Sequence, residues 1–135
     1  PDDGRVVTAF LTQLLRSKPL NIHGDGLQTR SFCYVDDLVR GIMLMADSDH
    51  SGPINLGNPH GEMSIRELAE RLSALFGREF IVGPPAPPQD ENDPKRRCPD
   101  ISLARDVLGW EPVTPFEDGM RATRDWLRSQ LNLDA

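Results

Sequence analysis

Hydrophobic residues recur at the three- and four-residue spacing of an amphipathic helix in several parts of the chain. The spacing is clearest near the start, where one helical face would carry Val7, Phe10, Leu11, Leu14 and Leu15. Pro19 ends this segment, because proline lacks an amide hydrogen and cannot continue a helix. The whole pattern predicts helices from Gly4 to Lys18, from Asp36 to Asp47, from Ser64 to Gly77, from Asp100 to Leu108 and from Thr114 onward.

The predicted helices carry recognisable start and stop signals. Asp36 and Asp37 suit the first turn of the second helix, because carboxylates complement the positive end of the helix dipole. Ser64 and Glu67 form a capping box at the start of the third helix, and Gly77 ends it. The second helix is predicted to bury Leu38, Ile42 and Met45.

Short apolar runs between the helices predict strands. A turn over Gly24–Gly26, where glycine tolerates positive φ, would join a strand at Leu20–His23 to a returning strand at Gln28–Tyr34. Further short strands are predicted over Pro53–Leu56 and Phe80–Val82. These strands are too few and too scattered for a self-contained doubly wound sheet, so the sequence predicts a small α+β domain.

Composition and charge exclude several classes of function. The chain has 135 residues and a net charge of −6, whereas binding to nucleic acid or anionic membranes draws on an excess of Lys and Arg. No apolar run approaches the roughly 20 residues of a membrane span, and no signal-peptide pattern opens the chain. Cys33 and Cys98 fit neither a zinc motif nor a disulfide framework. We therefore expect a cytoplasmic protein with reduced thiols.

Several catalytic and binding motifs can be excluded from the spacing of residues. The glycines of residues 24–26 do not form a dinucleotide-binding loop, because no third glycine follows at the required spacing and no βαβ unit precedes them. Tyr34 is the only tyrosine, and Leu38 stands four positions after it, so this chain contains no Tyr-x-x-x-Lys pair. The three histidines are dispersed without metal-ligand spacing. For His23, at the end of a strand, a ligand contact and a structural role are about equally compatible with the pattern.

Two groups of basic residues are candidates for binding phosphate. Arg30 lies on the strand that leaves the glycine turn, and Lys95, Arg96 and Arg97 stand together in an acidic, Pro-rich loop. Because a guanidinium can hold phosphate through two parallel hydrogen bonds, Arg30 with one or two of the loop residues would form a diphosphate clamp. Local salt bridges to carboxylates of the same loop are the alternative.

Five motifs occur in an order typical of one enzyme family. They are DDGRVV from Asp2, LNIHGDGLQTRSFCYVDDLV from Leu20, INLGNP from Ile54, DPKRRCPDISLA from Asp93 and LGWEP from Leu108. Together they resemble the C-terminal part of UDP-glucuronate decarboxylases, in the extended short-chain dehydrogenase/reductase, or NAD-dependent epimerase/dehydratase, family. The dTDP-glucose 4,6-dehydratases share the GDGLQ turn and the arginine after it, so a dehydratase or a sugar-nucleotide epimerase is the alternative. A non-catalytic binding or assembly module is the alternative from another class.

The resemblance implies a UDP-glucuronate site assembled from several segments. It places Arg5 near both the nucleotide and NAD, Arg30 at the diphosphate, and Arg97 at the sugar or its carboxylate. Arg97 would have the one near-catalytic role, since it would hold the substrate while NAD oxidises the sugar at C4. Relatives often carry an aromatic residue in place of His23, so stacking on the base would depend on the imidazole. The implied substrate-binding residues are Arg5, Val6, Asn21, His23, Arg30, Asn55 and Arg97.

The resemblance also implies a domain organisation. Residues 1–135 would form a single C-terminal substrate-binding domain, with residues 84–99 as a loop over the substrate. We expect the chain, which begins with Pro1, to be part of a longer protein whose Rossmann core binds most of the NAD. The parent enzyme is expected to be a homodimer. We expect the isolated chain to be inactive, to bind UDP-sugar weakly, and to self-associate or domain-swap through an exposed apolar face.

Overall fold

The computed structural model describes residues 5–83 and 94–132, in which helices alternate with short strands. This mixed content agrees with the predicted α+β class. No helix in these two ranges is long and apolar enough to cross a membrane. The elements are α1 (Val6–Leu15), β1 (Thr29–Ser31), α2 (Val35–Ala46), a 3₁₀ turn (Pro59–Gly61), β2 (Glu62–Ser64), α3 (Ile65–Leu75), α4 (Ser102–Leu108) and α5 (Phe116–Gln130).

The backbone forms two compact units, each built from separate stretches of the chain. The first unit comprises Pro1–Gln28, Ser64–Lys95 and Met120–Ala135, and the second comprises Thr29–Met63 and Arg96–Gly119. The single domain over the whole chain stays a prediction. So does the covering loop at 84–99, most of which lies outside the described residues.

The first unit has a helical core in which α1 packs against α3. The Oγ of Ser64 accepts a hydrogen bond from the Glu67 amide at 3.0 Å, which confirms the predicted cap of α3. Gly77 follows α3 with φ +60°, as expected for a glycine that ends a helix. The helices supply the buried side chains of Phe10, Leu11, Leu14, Leu68, Ala69, Leu72, Met120 and Leu127.

The predicted turn at Gly24–Gly26 is confirmed, but the predicted hairpin is wrong. Gly24 and Gly26 have φ values of +60° and +73°, and a side chain on Gly26 would lie 2.7 Å from Ile22 Cγ2. After the turn, the Gly26 and Gln28 carbonyls accept hydrogen bonds from the first amides of α3. With the chain held in this way, β1 pairs with β2 and not with the strand predicted at Leu20–His23.

Leu20 and Val82 form an isolated parallel bridge, where the sequence predicted strands over Leu20–His23 and Phe80–Val82. Two main-chain hydrogen bonds of 2.8 Å support it, from Leu20 N to Ile81 O and from Gly83 N to Leu20 O. The two segments therefore meet in space, as parallel neighbours within the first unit.

The second unit is organised around the fully buried Trp110, which packs with Ile101 and Ala104. Ile54 and Leu56 also pack against this cluster. Both come from a segment without regular secondary structure, so the strand predicted at Pro53–Leu56 is wrong. Packing of these partly buried side chains against the cluster, and not pairing of the backbone, explains their apolar character.

The predicted buried face of α2 is partly wrong. Leu38 and Met45 are half-buried, but Ile42 is 58% exposed. The buried residues of α2 are Asp37 and Gly41. A side chain on Gly41 would meet Leu56 and the Trp110 ring at under 3 Å, so the glycine permits a close approach that hydrophobic periodicity does not register.

Asp37 links α2 to the chain between α4 and α5. Its Oδ2 accepts a hydrogen bond from the Thr114 amide at 2.9 Å, and its Oδ1 accepts one from Arg40 at 3.2 Å. The Trp110 indole donates to the Asp37 carbonyl at 2.9 Å. Burial raises the pKa of Asp37, but the hydrogen bonds from Thr114, Val113 and Arg40 together outweigh it and hold the pKa below its ordinary value.

We predict that Asp37→Asn destabilises the fold by about 1.5–3 kcal/mol, because a buried charge-assisted acceptor is replaced by an amide that must also donate. Urea unfolding at pH 7 measures the difference, with the exposed Asp36→Asn as the control. Because the folded pKa of Asp37 is lowered, its contribution is present above the ordinary pKa of about 4 and is lost below it. The gap between wild type and variant should therefore narrow from pH 5 to pH 3. A gap independent of pH would contradict the assignment.

Candidate functional site

The first unit holds four of the predicted site residues. Arg5 is exposed and immediately precedes α1, where its carbonyl accepts the Ala9 amide at 2.9 Å. Val6 is the first residue of the helix and is half-buried. Asn21 and His23 lie on the segment that leads into the glycine turn, and both are exposed.

Local packing fixes the backbone of this segment. The Asn21 amide donates to Gln13 Oε1 at 3.3 Å, and the His23 carbonyl accepts from Gln28 Nε2 at 3.3 Å. A side chain on Gly83 would collide with the Asn21 amide group, so these two residues are in close contact. The backbone that presents Asn21 and His23 is therefore held on both sides within the first unit.

The second unit brings Arg30 and Arg97 together. Arg30 is the middle residue of β1, and one of its guanidinium nitrogens donates to the Thr29 carbonyl at 2.7 Å. The Arg97 amide donates to the same carbonyl at 3.3 Å. The Arg97 carbonyl accepts from Ser31 Oγ at 3.1 Å. Arg97 thus lies on a segment directly beside β1, with its main chain bonded to both neighbours of Arg30.

Arg96 does not join the predicted clamp, because its guanidinium is engaged by Glu62. Its Nε lies 2.8 Å from Glu62 Oε1, and its terminal nitrogen lies 2.8 Å from Glu62 Oε2. Thr29 Oγ1 donates to Glu62 Oε1 at 2.7 Å. The carboxylate that pairs with Arg96 lies on β2, outside the loop from which the salt-bridge alternative drew its partners.

Glu62 is a residue that the sequence interpretation missed. The hydrogen bonds from Arg96, and then from Thr29, lower the pKa of Glu62 to about 2. The carboxylate is therefore charged at any physiological pH. Thr29 and Arg96 also form a parallel β-bridge. The segment that carries Arg97 is therefore joined to the β1–β2 sheet through both main-chain and side-chain contacts.

Two further residues of the second unit are Asn55 and Cys33. Asn55 is exposed, on the irregular segment that follows Ile54. Burial, and then the negative charge of Asp37, raise the pKa of the Cys33 thiol to about 11, so it is protonated at neutral pH. Within residues 5–83 and 94–132, no group of three or more His, Cys, Asp or Glu side chains could hold a metal ion.

Comparison with characterised proteins gives this arrangement a context. Residues 1–57 match the family described as the NAD dependent epimerase/dehydratase family. UDP-glucuronic acid decarboxylase 6 of Arabidopsis thaliana is 43% identical over 132 residues, which are 98% of this chain and 38% of that protein. UDP-glucuronic acid decarboxylase 1 of Xenopus tropicalis is 43% identical over 134 residues, 99% of this chain and 31% of that protein.

Solved structures give a consistent result. An epimerase from Methanothermobacter thermautotrophicus superposes with a TM-score of 0.85 at 30% identity, over 96% of this chain and 38% of that one. UDP-glucuronic acid 4-epimerase from Bacillus cereus, in complex with NAD, superposes with a TM-score of 0.80 at 29% identity, over 97% of this chain and 40% of that one. The chain spans about two fifths or less of the proteins it matches. It is homologous to enzymes of this family, so the resemblance inferred from its five motifs is confirmed.

We predict that Glu62→Gln releases the Arg97 segment from β1, because a neutral amide forms a weaker pair with Arg96. The Arg97 amide, which donates to the Thr29 carbonyl, should then exchange its hydrogen roughly tenfold faster or more. Hydrogen exchange followed by NMR measures this at single amides. The matched control is Glu70→Gln, an exposed substitution on α3. Equal protection of Arg97 in both variants would show that the ion pair does not hold the segment.

Proposed function

We propose that this chain is the nucleotide-sugar-binding part of an NAD-dependent UDP-glucuronate decarboxylase, which makes UDP-xylose. The observation that carries the proposal is its identity of 41–46% to proteins named UDP-glucuronic acid decarboxylase, over 88–99% of its length. Relatives from a plant, a frog and a fish carry the same name. The solved structures at 27–30% identity are less similar in sequence and are mostly named epimerases.

Arg30 and Arg97 are the residues to which we assign the anionic groups of the substrate. A guanidinium presents its N–H donors in a planar fork that matches phosphate and carboxylate oxygens. In this assignment Arg30 binds the diphosphate, and Arg97 binds the glucuronate carboxylate. The Arg30 guanidinium and the Arg97 amide both donate to the Thr29 carbonyl, so the two residues lie close to each other. Holding both ends of the substrate in this way would contribute to catalysis by orientation.

Asn21, His23, Val6 and Asn55 are proposed to contact the nucleotide. Asn21 and His23 are exposed on a backbone that neighbouring residues hold, as a base-binding segment requires. An imidazole can stack on uracil, although its ring is smaller than the aromatic side chain expected at this position.

We assign NAD mainly to a Rossmann core outside this chain. Gly26 is buried, and space for a phosphate over the glycine turn is limited by Ile22 and Arg66. Among the residues assigned here, Arg5 is the candidate that would reach the cofactor. NAD, when bound, supplies oxidation at C4 of the sugar and the reverse reduction. We therefore propose that the isolated chain binds UDP-sugar but does not turn it over.

A homodimeric parent and self-association of the isolated chain stay predictions. Self-association would use the apolar surface of α2, whose side chains are about half exposed. That surface is formed by Val35, Val39, Ile42 and Met43.

We predict that the isolated chain binds UDP weakly and that Arg30→Ala weakens this binding at least roughly tenfold, because a charge-assisted contact to phosphate is lost. Isothermal titration calorimetry with UDP measures both affinities. Arg121→Ala, an exposed substitution on α5, is the control that lowers the net charge equally. Equal affinity in the Arg30 and Arg121 variants would remove Arg30 from the diphosphate site.

The reaction itself is tested with the longer protein in which this chain is joined to its Rossmann core. Incubated with UDP-glucuronate and NAD, it should release carbon dioxide and form UDP-xylose. Formation of the C4 epimer with the carboxylate retained would instead support a UDP-glucuronate 4-epimerase, the second candidate, which the 0.80 TM-score to the Bacillus cereus enzyme favours. Formation of neither product would leave a binding module of the same fold.

A further inference from the structure

A cleft in the first unit combines an apolar floor with three arginines. Its volume is about 170 Å³, slightly above the roughly 150 Å³ of a cavity that holds benzene in another protein. None of the residues assigned to UDP-glucuronate lines it. The cleft is lined by Leu11, Leu14, Leu15, Phe76, Arg78, Arg124 and Arg128.

The basic side chains concentrate positive charge in an acidic chain. The whole protein has 15 Lys and Arg against 21 Asp and Glu, yet three arginines meet at this one cleft. Arg124 and Arg128 stand one turn apart on α5, so they project from the same face of the helix. Arg78 reaches the cleft from the other side, just after the glycine that ends α3.

Contacts with Phe76 and Asp125 hold the Arg124 side chain in place. Its guanidinium carbon lies 4.8 Å from the centroid of the Phe76 ring, within the range of a cation–π contact. Its Nε donates to Asp125 at 2.7 Å, and a terminal nitrogen lies 2.6 Å from the same carboxylate oxygen. A guanidinium has five N–H donors, so these contacts leave it the capacity to bind a further acceptor.

The floor of the cleft determines what kind of anion would fit. The apolar floor is supplied by Leu15 and Phe76, which are half-buried, whereas Leu11 and Leu14 are 0% and 5% exposed and present almost no surface to the cleft. A bare inorganic ion would leave Leu15 and Phe76 in contact with water. We propose that the cleft binds a small anion with a compact apolar group, such as an aryl or alkyl phosphate or carboxylate. The apolar group would lie on Leu15 and Phe76, and the anionic head would face the arginines.

A structural role for the arginines is the competing explanation. The C-terminal ends of α1 and α3 both reach the cleft, and helix C-termini carry partial negative charge that cations offset. That explanation predicts a loss of stability when an arginine is removed, and no ligand binding.

The test is a titration of the full chain with four probes, followed by NMR amide shifts. Phenyl phosphate and benzoate carry both the ring and the charge, inorganic phosphate lacks the ring, and benzyl alcohol lacks the charge. We expect saturable shifts at cleft residues with phenyl phosphate, benzoate or both. The two single-feature probes should bind roughly fivefold more weakly or worse. The stronger of the two aryl anions identifies the head group that the site prefers.

Variants complete the design. Arg78→Gln and Arg124→Gln should each weaken the aryl anion roughly fivefold or more, whereas Arg121→Gln, outside the cleft, should not. Arg78 is exposed, so its variant decides the question even if Arg124→Gln does not fold. The proposal is overturned by any of three results: no shifts with either aryl anion, equal binding of benzyl alcohol, or affinities that the Arg78 and Arg124 variants leave unchanged.

Discussion

The ion pair between Glu62 and Arg96 is the interaction on which the candidate site depends. It is bidentate, it is reinforced by the Thr29 hydroxyl, and it fastens the segment after residue 94 to the β1–β2 sheet. Arg97 follows directly, and its amide bond to Thr29 is long at 3.3 Å. If that hydrogen bond alone held the loop, it would offset little of the conformational entropy that the loop loses on ordering. The Glu62–Arg96 pair therefore positions Arg97, and neither residue of the pair needs to contact a ligand.

The fold could be predicted from the sequence where the interactions that decide it are local. The apolar faces of α1 and α3 and the cap of α3 follow from residues three or four positions apart, and both helices form, α1 over a shorter range than predicted. The prediction failed where packing between distant segments decided the result. Gly41 allows a close approach of α2 to Trp110, whereas Ile42 is 58% exposed. The hairpin failed for a similar reason, since the residues after the turn bond to the start of α3.

From the sequence, the candidate site was predicted as a clamp of Arg30 with one or two of the basic residues Lys95, Arg96 and Arg97. Arg30 and Arg97 stood out because arginines are the residues that suit a sugar diphosphate in an acidic chain. Nothing in the spacing indicated that Arg96 and Arg97 would have different surroundings. The difference arises from Glu62, which pairs with Arg96, stands 34 positions from it and belongs to no recognisable motif. A carboxylate two residues before a capping serine is expected to be solvated, so only the fold reveals its partner.

The long sequence separations of these contacts also bear on how the molecule assembles. Ser31 and Arg97 are 66 positions apart, and Asp37 and Thr114 are 77 apart. Contacts of this kind close large loops, whose entropy must be lost before any bond compensates for it. Helices such as α1 and α3 need no such closure to begin forming. The second unit, with Arg30 and Arg97, therefore forms only after large loops have closed. A chain in which those loops fail to close would lack this site even where its helices form.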